Sequence, residues 1–166
     1  MTSTTSETAN KEQLSRAIGR IASGVYIVTS ILDGQRDGML TTFLSQTAFE
    51  PPMLVFAVKK ERPILKELAD GHNFAVNVLS KNNMDIFKNF AKPYTEGLDR
   101  FENLAVEKDE FGSPIFPEAV AYLSCVTRKH VESGDHVLII GEILAGSLLQ
   151  GDNEPMVHLR KNGFGY

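Results

Sequence analysis

Ala119-Val-Ala-Tyr-Leu-Ser-Cys-Val-Thr-Arg-Lys-His-Val131 and His136-Val-Leu-Ile-Ile-Gly-Glu-Ile-Leu-Ala-Gly-Ser-Leu-Leu149 flank the short segment Glu132-Ser-Gly-Asp135. Both runs are rich in apolar and β-branched residues, and the glycine between them marks a turn, so the region predicts a long β-hairpin. Further strands are expected on the upstream side. Phe74-Ala-Val-Asn-Val-Leu79 and the continuous apolar run Met53–Val58 both suit buried strands. Val25–Ile31 and Met39–Leu44 read as a second hairpin, with turn signals at Asp33-Gly34 and Asp37-Gly38. Glu50-Pro51-Pro52 interrupts the extended pattern, because proline donates no backbone hydrogen bond.

Three short helices complete the reading. Asn10 is placed to cap one carrying Leu14, Ile18 and Ile21, which Gly24 stops. Pro63 starts a second with Ile64, Leu65 and Leu68, ended by Gly71. Met84, Ile86, Phe87 and Phe90 recur at helical spacing in the third. Six or seven strands joined mostly by hairpin-sized connections argue for a mainly β, antiparallel closed barrel over a doubly wound parallel sheet. Ala91–Asn103, with Pro93 and Gly97 and few apolar residues, is the longest expected loop and a candidate lid.

The chain has 166 residues, 42% hydrophobic and 23% charged, which suits one globular domain and disfavours disorder. Residues 1–9 are polar and read as a disordered N-terminal tail, leaving 10–166 as the domain. Seventeen basic against 21 acidic residues give a net charge of −4, so no bulk attraction to nucleic acid or an anionic membrane is expected. No apolar run reaches the roughly 18 residues of a membrane span, and no secretory signal opens the sequence. The single cysteine, Cys125, lies in an apolar strand pattern as a small buried hydrophobe; a reducing, cytoplasmic setting fits, and no metal site is expected.

Two clusters carry chemistry. Thr41, Thr42, Ser45, Gln46 and Thr47 crowd polar groups among apolar neighbours, where a polar ligand would partner them, although threonines also favour strands and cap turns. Lys59, Lys60 and Arg62 follow a buried strand and could hold a phosphate or form a solvated basic turn. His136 opens a strand after Gly134-Asp135, which puts an imidazole near a barrel rim. The phosphate-loop, dinucleotide and nucleophile-elbow glycine patterns do not occur in the chain.

Five segments, in order, resemble the flavin reductase-like family of FMN-binding split β-barrels, of Greek-key type. They are Arg20-Ile-Ala-Ser-Gly-Val-Tyr-Ile-Val-Thr29, Gly38-Met39 through Phe49-Glu-Pro-Pro-Met53, Phe74–Leu79, Asp99-Arg-Phe101 and Gly134-Asp-His136. The version around Gln46 and Phe49–Met53 is most similar to the flavin reductase modules of flavodiiron proteins. The resemblance implies a homodimer binding FMN, or FAD, and oxidising NADH or NADPH, with electrons passing to a separate acceptor. A flavin-binding electron-transfer protein that does not itself oxidise NAD(P)H is the alternative. By position, the resemblance implies flavin contacts from Leu40, Thr41, Thr42, Ser45, Gln46 and Thr47, with Ala57, Val58 and Lys59 adding more. Lys60 or Arg62 would meet the phosphate, Arg100 and Phe101 would lie on a covering loop, and His136 would stand near the nicotinamide as the catalytic residue. Phe43 stands where a small polar residue is common in the family.

Overall fold

A computed structural model describes residues 3–165. The chain forms two compact units, one of residues 24–156 and one of the terminal segments up to 23 and from 157. The main sheet of the larger unit has seven strands among the described residues: β1 (Tyr26–Leu32), β2 (Gln35–Thr41), β3 (Leu44–Phe49), β4 (Pro52–Lys59), β5 (Asn73–Val78), β6 (Ala121–Ser133) and β7 (His136–Leu148). They make one antiparallel sheet in the order β2-β1-β5-β6-β7-β4-β3.

The long hairpin forms as expected, with His136 paired to Ser133 and two register shifts farther along. The β1–β2 turn sits at Asp33-Gly34, whose φ values of 48° and 79° give the left-handed pair that matches strand twist. Asp37-Gly38, expected as a further turn, lies inside β2 opposite Ser30 and Thr29. Its glycine serves packing: a Cβ there would stand 2.8 Å from the Phe90 ring and 3.3 Å from that of Phe101.

The expected closed barrel is corrected to an open, curled sheet. β2 and β3 are the outer strands, yet only Thr42 and Phe43 separate them in sequence. Seven flat strands would set the outer two ~29 Å apart, whereas the connecting residues reach only ~10 Å. The sheet therefore curls until its outer strands approach at that end. No ladder joins them among the described residues, because the chain turns toward β4 instead: the Ala57 amide donates to the Phe43 carbonyl at 3.0 Å.

Alternation along β1 feeds two cores. Val28 packs with Phe56, Phe74 and Ile139, and Ile27 with Leu79, Phe90 and Phe116. The second core is closed by α2 (Met84–Ala91), which buries Ile86 and Phe90. Buried Asn77 ties it to the sheet, donating to the Ile27 carbonyl at 3.2 Å and accepting from the Phe116 amide at 2.9 Å. The helix expected after Pro63 is a single 3-10 turn, Pro63–Lys66.

In the terminal unit, α1 (Ser3–Ile18) starts seven residues ahead of the expected cap at Asn10. The residues before that cap include no glycine or proline, so nothing in the backbone stops the helix earlier. Residues 1 and 2 of the expected tail lie outside the described residues. Ser15 donates to the Asn162 side chain at 2.7 Å and receives the Gly163 amide on its carbonyl at 2.9 Å, which joins the two terminal segments.

Candidate functional site

Sequence-distant residues meet at one end of the curled sheet. In the ladder between β4 and β7, His136 lies opposite Lys59, Val137 opposite Val58 and Leu138 opposite Ala57. The Asp135 carbonyl accepts from the Lys60 amide at 3.1 Å, and the Lys59 carbonyl accepts from the Arg62 amide at 2.9 Å. The basic segment is therefore a tight turn docked against the start of β7.

His136 is held on one side only. Its Nδ1 meets the Asp135 carboxylate at 2.7 Å, and its ring lies 5.9 Å from that of Phe43. The hydrogen bond to His136 holds the Asp135 carboxyl below the usual carboxylate range. Nε2 is buried without a hydrogen-bond partner among the described residues. Thr42, beside Phe43, also buries its Oγ1 without a partner. Thr41 Oγ1 instead accepts from the Phe43 amide at 3.2 Å. An imidazole nitrogen and a hydroxyl, both unsatisfied, thus flank the Phe43 corner.

The other expected contacts divide by place. Leu40 is half-buried near the end of β2, and Ala57 and Val58 are buried in β4. Ser45, Gln46 and Thr47 lie exposed on the outer strand β3, where Ser45 Oγ donates to the Gln46 carbonyl and Gln46 Nε2 to that of Ala48. Lys60 turns away into an ion pair with Glu132. Lys59 is exposed.

A second focus adjoins the turn. The guanidinium groups of Arg62 and Arg100 both lie 5.6 Å from the centre of the Tyr94 ring. Arg100 is only 5% exposed; one of its nitrogens donates to the Phe90 carbonyl at 3.5 Å, and Nη2 is buried without a partner among the described residues. Burial, and then the nearby charge of Arg62, lower the Arg100 pKa, while Asp37 and Tyr94 oppose them. Phe101 is not brought to this surface. It is 3% exposed and packs with Phe90 and Phe116 at centroid distances of 5.1 and 5.8 Å.

Sequence reasoning singled out neither Tyr94 nor Glu67. An aromatic in an otherwise polar loop was the available signal for Tyr94; for Glu67 there was none. Cys125 is fully buried and burial pushes its thiol up, so it stays unreactive. Among the described residues no cluster of three or more His, Cys, Asp or Glu could hold a metal, and no helix is long and apolar enough to cross a membrane.

The class defined here is a β-module whose curled antiparallel sheet carries unpartnered buried polar atoms at one rim. Residues 18–165 match the flavin reductase like domain, and the chain belongs to that family of flavin-related oxidoreductases. It is similar to diflavin flavoprotein A 1 of Synechocystis sp., 35% identical over 90% of this chain and 26% of that protein. The chain thus spans about a quarter of that relative's length. Among solved structures it resembles the NADH:FAD oxidoreductase SgcE6 of Streptomyces globisporus, with TM-score 0.79, 27% identity, and 89% and 87% of the two chains covered. The flavin reductase PheA2 superposes with TM-score 0.75 at 25% identity, covering 87% of this chain and 90% of that one.

Proposed function

We propose that the protein is an NAD(P)H:flavin oxidoreductase that holds FMN, or alternatively FAD, and passes electrons to a separate acceptor, working as a cytoplasmic homodimer. The observation that carries this reading is that three of the six buried side-chain polar atoms left without a partner among the described residues fall on expected contacts: Thr42 Oγ1, His136 Nε2 and Arg100 Nη2. Buried polar groups need partners, and a hydroxyl, an imidazole and a guanidinium suit the polar ring edge and the phosphate of a flavin. The residues present therefore fit the group. A bound flavin would supply the hydride- and electron-transfer chemistry, with a nicotinamide as the hydride source.

The chain's own residues position and enclose. Asp135 fixes the His136 ring through Nδ1 and leaves Nε2 for a ligand. Leu40, Ala57 and Val58 supply apolar wall, Thr41, Thr42, Ser45, Gln46 and Thr47 supply hydroxyls and an amide, and Lys59 and Arg62 supply charge near the phosphate. Lys60 contributes through its backbone at the turn, since its ammonium is engaged by Glu132. Phe101 packs in the core, and Arg100, whose guanidinium is buried beside Tyr94, would contribute from the covering loop.

The visible spectrum with added FMN tests binding: flavin bands retained through desalting are expected, and their loss would exclude a tight complex. Anaerobic NADH or NADPH should bleach those bands. Bound flavin that never bleaches with either would favour the electron-transfer reading. His136→Ala should slow bleaching about tenfold or more while flavin stays bound; an unchanged rate and nicotinamide KM would remove the role assigned to that residue.

A further inference from the structure

We infer that residues 69–72 form a proton-operated strap, docked on β6 while His130 donates from both ring nitrogens and loosened when the ring gives up one proton. His130 Nε2 lies 2.7 Å from the Leu68 carbonyl, and Nδ1 lies 3.1 Å from the Asp70 carboxylate. A carbonyl and an ionised carboxylate only accept, so an imidazolium satisfies both and a neutral ring satisfies one. The shorter contact keeps the remaining proton. The lone pair left on Nδ1 then faces a carboxylate oxygen, and Asp70, which is exposed, turns to water instead. Histidine is the side chain that changes charge in this way near neutral pH.

The strap joins the 3-10 turn to β5 and is attached to β6 by little else. The Gly71 amide donates to the Thr127 carbonyl at 2.9 Å, and the Thr127 amide to the His72 carbonyl at 3.0 Å. Residues 70–72 are exposed, and Gly71 turns the chain at a φ of 82°. Leu68 is fully buried, so loosening begins beyond it and leaves the core intact.

The other charged groups around His130 are engaged elsewhere. On β6, Arg128 pairs with Glu142 of β7, Glu132 pairs with Lys60, and Lys129 takes the opposite face by alternation. On β7 the residue opposite His130 is Ile139, and His136 pairs with Asp135. Ahead of the strap, Lys66 is exposed and Glu67 buries Oε2, with the charge of Asp37 acting on it. His72 Nδ1 meets the Glu67 carbonyl at 3.2 Å, one acceptor that a neutral ring satisfies.

Hydrogen exchange on the purified protein, expressed as protection factors, reads the strap at the Gly71 and Thr127 amides. Leu79 is the reference, since its bond to the Val25 carbonyl involves no strap residue. Glu67→Gln serves as the background, because that carboxyl otherwise changes charge over the same range. From pH 5 to pH 8, protection at both amides should fall about two- to fivefold relative to Leu79, the worth of one exposed charged contact. Adding Asp70→Asn should flatten the profile, because an amide accepts from an imidazolium and donates to a neutral ring. His130→Gln should flatten it too, and exposed Asp70 carries the test if that variant does not fold. A constant protection ratio in the background protein, or an undiminished fall after Asp70→Asn, would overturn the inference. The strap works without a ligand, so either result stands whether or not the protein binds flavin.

Discussion

Glu67 shows how far a single side chain departs from what its letter suggests. It follows the 3-10 turn in a basic neighbourhood, yet it is 8% exposed with Oε2 buried and unpartnered among the described residues. Burial, with the charge of Asp37 adding, raises its carboxyl from the ordinary 4.5 to about 7. Between those values the folded chain holds a proton that the unfolded chain has lost, so stability falls as pH rises from about 4.5 to about 7 and is level beyond. The full cost is at most about 3 kcal/mol. Glu67→Gln, neutral throughout, should remove that slope: urea midpoints at pH 5 and pH 8 should converge relative to wild type, and parallel behaviour of the two proteins would contradict the assignment. His136 and Arg62 were legible as letters because each sits beside a turn signal. Glu67 and Tyr94 were not, since burial of an acid and the meeting of two distant cations depend on packing rather than on local pattern.

At the scale of elements, the loop after α2 is exposed over residues 91–99 and held beyond them by buried Arg100 and Phe101. Arg36 reaches from β2 to Asp99 at 2.8 Å, and its guanidinium lies 4.9 Å from the Phe101 ring centre. Desolvation opposes ionisation of Asp99, but the hydrogen bonds from Arg36 and the Phe101 amide outweigh it and hold the carboxyl below its usual value. The contribution is therefore present above pH ~4 and lost as pH falls through the depressed value; for so exposed a pair it amounts to less than about 1 kcal/mol. Asp99→Asn keeps the acceptor for the Phe101 amide but drops the charge. Cleavage after exposed Glu96 by a glutamate-specific protease should accelerate several-fold, with the global melting midpoint almost unmoved. An unchanged cleavage rate would show that Arg36 does not restrain the loop. The hairpins, by contrast, were readable because their turns are local: Asp33-Gly34 and Glu132–Asp135 sit between runs that can only pair back. Sheet order was not readable, since β5 between β1 and β6, and β4 beside β7, follow from burying two cores at once.

For the whole molecule, the decisive property is that the sheet curls without closing. β7 pairs with β4 only from His136 to Glu142, whereas its pairing with β6 continues to Leu148. Beyond Glu142 one edge of β7 therefore has no strand beside it in the described sheet. That stretch lines a shallow groove with Ala121, Leu123, Ile143, Ala145 and Leu148, and Leu148 is 69% exposed. An unpaired, apolar strand end invites another chain, and the proposed homodimer supplies one of the same sequence, in which a two-fold axis would let each copy cover the other's groove. Sedimentation of the purified chain should then give twice its 18.3 kDa mass. Leu148→Asp places a charge at the centre of such an interface and should weaken association tenfold or more, while leaving the far-UV spectrum unchanged because the side chain is exposed in the single chain. A monomeric wild type would remove the homodimer, and an undisturbed dimer in the variant would move the interface to another face, with the open edge of β3 and its 88% exposed Phe49 as the next surface to substitute.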